Sequence, residues 1–160
     1  MARVAVQADP FDPGAELARL LAGRTDIGGI GCFIGTVRDT AEGRRLAALT
    51  LEHYPGMTER AIAAIAAEAE RRWNLAGCTV IHRFGRLTPG APIVLVLAAA
   101  AHRAPALAAT SFLIDWLKTR APFWKQEEWE DGATAWVAAK EADDAAAASW
   151  DQTSPGFTAG

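Results

Sequence analysis

Apolar and polar positions along the chain fall into alternating strand-like and helix-like periods. Arg3 to Ala8 reads as a first strand. Asp12-Pro13 then supplies an N-cap and a first-turn proline for a short helix reaching Leu21. Gly28 to Arg38, GGIGCFIGTVR, has strand character, and its glycines weaken the strand while letting another backbone come close. Asp39 to Arg45 is a polar loop around Gly43. Leu49, Leu51 and His53 alternate with Thr50, Glu52 and Tyr54, so Leu46 to Tyr54 is a half-buried strand.

Pro55-Gly56 ends that strand, and Thr58 is the expected N-cap of a helix reaching Trp73. Ile62, Ile65, Ala66, Ala69 and Trp73 form its apolar stripe. Glu68 and Arg72 stand at ion-pair spacing. Cys78 to Phe84 is another strand, Thr88-Pro89-Gly90 a turn, and Pro92 to Ala101 a central strand. Pro105 fits the first turn of a helix that runs to about Arg120 and stops before Pro122. Lys125 to Glu130, the Asp131-Gly132 turn and Ala133 to Ala138 form a hairpin. A short helix follows around Asp143 to Ser149. Strands in pairs between helices predict an α+β or mixed-sheet architecture rather than a doubly wound fold. No internal repeat or linker divides the chain, so residues 1–150 are expected to form one domain and 151–160 a frayed tail.

Composition narrows the classes. The chain has 160 residues, 51% of them hydrophobic and 22% charged, as in ordinary globular domains. No apolar run approaches the roughly 18 residues that span a bilayer. The N-terminal stretch carries Asp9 and Asp12 and no basic-then-apolar leader pattern, which predicts no export and a cytoplasmic location. The net charge of -3 gives no overall attraction to nucleic acid or acidic membranes. The two cysteines, Cys32 and Cys78, form no CxxC and have no histidine at ligand spacing, so buried free thiols are expected and a zinc site is not.

An anion site must then be local, and the basic residues stand at suggestive places. Arg38 ends a strand, His102-Arg103 opens a helix, Lys118 lies near the end of that helix, and Lys125 follows the bulky Ala121-Pro122-Phe123-Trp124. Cations at element ends beside aromatic residues make a partly dry anion pocket. A helix start adds free N–H groups and a positive dipole end. Two lysines in such a pocket lower each other's pKa, so one can act as nucleophile or base while the other offsets developing negative charge. Plainer readings stand beside this one: an Asp115–Lys118 surface pair, strand-end Arg38 and Lys125 in water, and structural roles for His53, His82 and His102. There is no Ser-His-Asp order or paired-carboxylate pattern.

Five segments in register resemble the large subunit of molybdopterin synthase, the MoaE family: FIGTVRD (Phe33 to Asp39), LEHYPGMTE (Leu51 to Glu59), VIHRFGRLTPG (Val80 to Gly90), AHRAPAL (Ala101 to Leu107) and DWLKTRAPFWKQE (Asp115 to Glu127). The resemblance implies an α/β hammerhead fold with an additional antiparallel β subdomain. It implies a homodimer of large subunits, each taking one small ubiquitin-like sulfur-carrier subunit, a heterotetramer in all. The carrier's C-terminal Gly-Gly thiocarboxylate would deliver sulfur to cyclic pyranopterin monophosphate (precursor Z), building the molybdopterin dithiolene. The large subunit itself would need no metal or organic cofactor, and neither nucleic acid nor membrane would be a partner. Carried over by position, Lys118 and Lys125 are the catalytic pair. Arg38, His102 and Arg103 form the anion and substrate pocket, Thr36, Val37, Gln126 and Glu127 line it, and Phe33 is a wall or core residue. Lys140 stands where the family has an arginine that reaches a neighbouring subunit's site, and Leu107 replaces a family Phe. A docking module for a ubiquitin-like carrier, without catalysis, is the alternative.

Overall fold

A computed structural model describes residues 1–137 and 141–151, the side chains of Glu141 and Ala142 excepted. Lys140 and residues 152–160 lie outside the described residues. A first sheet is built from β1 (Arg3–Gln7), β2 (Gly29–Thr36), β5 (Gly77–Arg83) and β7 (Pro92–Ala100), in the order β1-β5-β7-β2. β1 runs parallel to β5, and the other pairs are antiparallel. The second sheet holds β3 (Thr40–Ala41), β4 (Arg44–His53), β8 (Phe123–Trp129) and β9 (Thr134–Trp136), all antiparallel, with β6 (Gly85–Leu87) also paired to β4. This is the expected α+β architecture, the second sheet being the β subdomain.

Helices α2 (Met57–Trp73) and α3 (Arg103–Thr119) cover one face of the first sheet. Ile62, Ala66 and Ala69 of α2 and Phe112 and Leu113 of α3 pack with Val80, Val94 and Val96. Each such aliphatic side chain taken from water contributes ~1.5–3 kcal/mol before entropy is counted. The approach of α3 is close. A β-carbon on Gly31 would collide with Thr110 Oγ1 and the Ala106 carbonyl, which accounts for a glycine inside β2. On the other face, Leu20 of α1 (Pro13–Leu21) and Phe11 close over Ile81, Leu95 and Leu97. Asp12 caps α1 as expected, its Oδ1 accepting from Ala15 N at 3.0 Å. Helix α4 (Glu141–Ser149) ends at Trp150, whose ring meets Trp73 and Phe112 edge-on.

Three expectations need correction. The cap of α2 is Gly56, not Thr58. Gly56 takes a positive φ of 81°, Glu59 Oε2 accepts from its N–H at 2.6 Å, and the Thr58 hydroxyl, inside the helix, donates to the Tyr54 carbonyl. The polar loop 39–45 contains the two-residue strand β3, pairing back on β4. Cys32 is exposed while Cys78 is buried, because Cys32 lies on the open face of an edge strand. Arg72 stands at the junction of α2 and α4. Its guanidinium lies over the rings of Trp73, Phe112 and Trp150 and donates to the Trp150 carbonyl, so α4 is tied to α2 by cation–π contact.

Candidate active site

Where α3 ends and β8 begins, the two sheets and α3 enclose a cavity of about 370 Å³. Thr36, Val37, Arg38, Lys118, Lys125 and Glu127 line it, so six of the expected residues come together. Each is placed by its element. Lys118 is in the last turn of α3, where the carbonyl end of the helix favours a cation. Arg120 N and Ala121 N both bond to the Trp116 carbonyl, at 2.8 and 3.2 Å, which turns the chain sharply from α3 into β8.

Alternation along β8 then puts Lys125 and Glu127 on one face, opposite Leu51 and Leu49 of β4. Val37 is buried and clamped on both sides, its N–H donating to the Ala91 carbonyl and its carbonyl accepting from Gly90 N. That clamp aims the next residue, Arg38, at the cavity.

Arg38 and Lys118 are exposed and make no ion pair or hydrogen bond with the described residues. The plainer alternative, an Asp115–Lys118 pair, is absent among the described contacts. Asp115 Oδ2 instead accepts from Trp150 Nε1 at 2.7 Å. Two acids, Glu127 and Asp143, share the lining with the three cations, leaving a positive balance suited to an anion. No group of three or more His, Cys, Asp or Glu side chains among the described residues could hold a metal ion.

Three expected residues lie elsewhere. Gln126 opposes Thr50 and Trp136 and faces away from Lys125. His102 and Arg103 are exposed at the N-terminal end of α3, His102 as its cap residue. Fifteen residues of helix separate Arg103 from Lys118, about 22 Å along the axis at 1.5 Å per residue. One chain therefore does not bring all five basic groups to one cavity. Phe33, packed against the helical core, is a core residue rather than a wall.

Trp124, Trp136 and Val137 form an apolar rim that composition alone did not reveal. Trp124 is held edge-on against Tyr54, ring centroids 4.4 Å apart. The signal for Trp124 was its place in the bulky stretch before Lys125. Trp136 carried none, because the register of β9 on β8 decides where it stands.

A family model described as "MoaE protein" matches residues 6–120. The chain is 57% identical over 148 residues to the molybdopterin synthase catalytic subunit of Cereibacter sphaeroides, covering 92% of this chain and 99% of that one. Its structure is similar to the molybdopterin biosynthesis MoaE protein from Burkholderia ambifaria, with a TM-score of 0.80 and 50% identity over 96% of this chain and all of that one. It is also similar to molybdopterin synthase from Staphylococcus aureus, with a TM-score of 0.75 and 28% identity, covering 83% of this chain and 95% of that one. The match to the family model over most of the chain, with near-complete coverage of curated relatives, shows that this chain belongs to the MoaE family.

Proposed function

We propose that the chain is the catalytic subunit of a molybdopterin synthase, moving sulfur from the thiocarboxylated C-terminus of a small ubiquitin-like carrier to a cyclic pyranopterin monophosphate. The observation that carries this reading is the meeting of Arg38, Lys118 and Lys125 in one cavity beside an aromatic rim. A thiocarboxylate and a phosphate are both anions and need cations at the point of reaction. A flexible Gly-Gly tail is slim enough to enter a cavity of this size, and a planar pterin suits tryptophan faces.

In the reaction, run twice with two carriers, the carrier's sulfur forms a bond to a side-chain carbon of the pterin as that carbon loses its oxygen substituent, a hydroxyl leaving as water or a phosphate oxygen leaving as the cyclic ester opens. The acyl–sulfur bond then breaks, leaving sulfur on the pterin, and hydrolysis leaves a carboxylate on the carrier. Lys118 exchanges a proton with the reacting centre or takes the acyl group transiently. Lys125 stays protonated and offsets the charge that develops. Thr36, Val37 and Glu127 shape the pocket.

His102 and Arg103 reach a phosphate in this cavity only from a second copy of the chain, which makes the working unit a homodimer with one carrier per large subunit. Lys140 keeps its assignment as a residue that reaches across to the neighbouring site. Gln126 has no place in the pocket of one chain. Catalysis in the cytoplasm, without a resident cofactor, accords with the reading. No helix among the described residues is long and apolar enough to cross a membrane.

The test mixes the purified chain with a thiocarboxylated carrier and the cyclic pyranopterin monophosphate and assays dithiolene product. Product dependent on all three components is expected. Carrier binding without product would make the chain a docking module instead.

A further inference from the structure

The strand that carries Lys125 touches the first sheet through a cluster of rings that the proposed reaction does not use. His82, near the end of β5, is only 5% exposed. Its ring stacks on Phe123, the first residue of β8, with centroids 3.9 Å apart and planes 20° from parallel. His53, at the end of β4, stands opposite Phe123 in the β4–β8 ladder, its ring 6.0 Å from that of Phe123 and 4.5 Å from that of Phe84.

The hydrogen bonds assign both imidazoles. His82 Nδ1 lies 2.8 Å from the Arg83 carbonyl, which can only accept, so Nδ1 carries the proton. The Thr58 hydroxyl gives its hydrogen to the Tyr54 carbonyl, so its oxygen accepts from His53 Nδ1 at 3.1 Å. Both rings are therefore locked in orientation. Burial pushes the pKa of His82 down to about 4, and the nearby charges of Lys125 and His53 push the same way. The charged groups that act on His82, Lys125 and His53, are both basic, and at neutral pH its ring is an uncharged plate.

Phe123 and Lys125 are two apart on β8 and share a face. β8 pairs with no strand of the first sheet, so the ring contact between His82 and Phe123 is a tie between the two layers. Resting on the sulfur-transfer reading above, we propose that His82 is a positioning residue for Lys125, its ring fixing the start of β8 against the first sheet so that Lys125 enters the cavity beside Lys118. A ring that tips lets β8 slide, and a displacement of ~1 Å at a reacting group costs up to ~10²-fold in rate.

The experiment compares His82→Phe, which keeps a flat ring, with His82→Gln, which keeps a donor but loses the ring. Steady-state kinetics are measured with the thiocarboxylated carrier and the pterin monophosphate, and backbone hydrogen exchange is followed over residues 123–127. His82→Gln is expected to lower kcat by about tenfold or more, with KM for the carrier little changed, and to speed exchange in β8. His82→Phe is expected to restore both. Phe123→Leu should mimic His82→Gln, and the double variant should be no slower than either single one, since both remove the same contact.

The inference is overturned by a His82→Gln enzyme with wild-type kcat, by equal loss in His82→Phe, or by additive losses in the double variant. If His82→Gln does not fold, Phe123→Leu decides on the same kinetic split. Should the wild-type chain make no dithiolene, the sulfur-transfer reading fails by itself. Exchange in β8 then decides the positioning role, and unchanged exchange in His82→Gln and Phe123→Leu overturns it.

Discussion

Replacing Lys118 with alanine separates folding from chemistry more cleanly than any other single change. The side chain is exposed and makes no hydrogen bond or ion pair with the described residues, so no packing is lost. What it gives to stability is a cation on the last turn of α3, worth ~0.3–1 kcal/mol at a helix C-terminus, and alanine's higher helix propensity returns part of that. The net cost stays within about 0.5 kcal/mol, usual for an exposed site, or about 2 °C in Tm for a chain of this length. Catalysis should respond on another scale. Removing one group that stabilises transition-state charge costs ~10²–10³ in kcat, ~2.7–4 kcal/mol, and more if Lys118 also takes the acyl group. The assay is dithiolene formation at saturating carrier, alongside thermal unfolding. Turnover within a few-fold of wild type would refute the role given to Lys118, and a collapse of Tm would refute the claim that it is structurally idle.

Three further outcomes follow from the fold. Gly31→Ala drives a methyl into Thr110 and the Ala106 carbonyl, and should cost ~1–3 kcal/mol by overpacking, seen as a lowered Tm; an unchanged Tm would mean that α3 stands off β2. Under native conditions at mildly alkaline pH, iodoacetamide should label Cys32 and spare Cys78, whose thiol burial pushes up to about 12; peptide mapping showing equal labelling would contradict this. Arg3 holds the Glu16 carboxyl below its ordinary range through two hydrogen bonds of 2.7 and 2.8 Å. A folded pKa lowered in this way adds stability above the unfolded carboxylate pKa, and that stability is lost as pH falls through the folded value. Urea unfolding should therefore show the gap between wild type and Glu16→Gln closing as pH drops below the carboxylate range, and a gap that is constant with pH would exclude the linkage.

Periodicity made the long elements legible. The Ile62, Ile65, Ala66, Ala69 stripe and the apolar run from Ile93 foretold α2 and β7 because each buries a face whose spacing is local. β3 and β6 were not legible, since strands of two or three residues exist only because β4 lies beside them. Thr58 misled because a hydroxyl that caps a helix can equally bond back to a carbonyl from inside it. In the site, Lys118 and Lys125 were singled out by resemblance, and the fold brings both to one cavity. Their meeting depends on the turn after α3, which no periodicity describes. The separation of Arg103 from Lys118 was within reach of the sequence, because the length of the expected helix already keeps its two ends apart.

The junction between α3 and β8 has little slack. Lys118 stands in the last turn of a helix and Lys125 near the start of a strand, with hydrogen bonds from Arg120, Ala121 and Phe123 drawing tight the short segment between them. That segment works as a ruler between the two amines. One extra residue that shifted β8 by one position would turn Lys125 to the far side of β8, where Gln126 now points, emptying the cavity of its second amine and pulling Phe123 and Trp129 out of their packing.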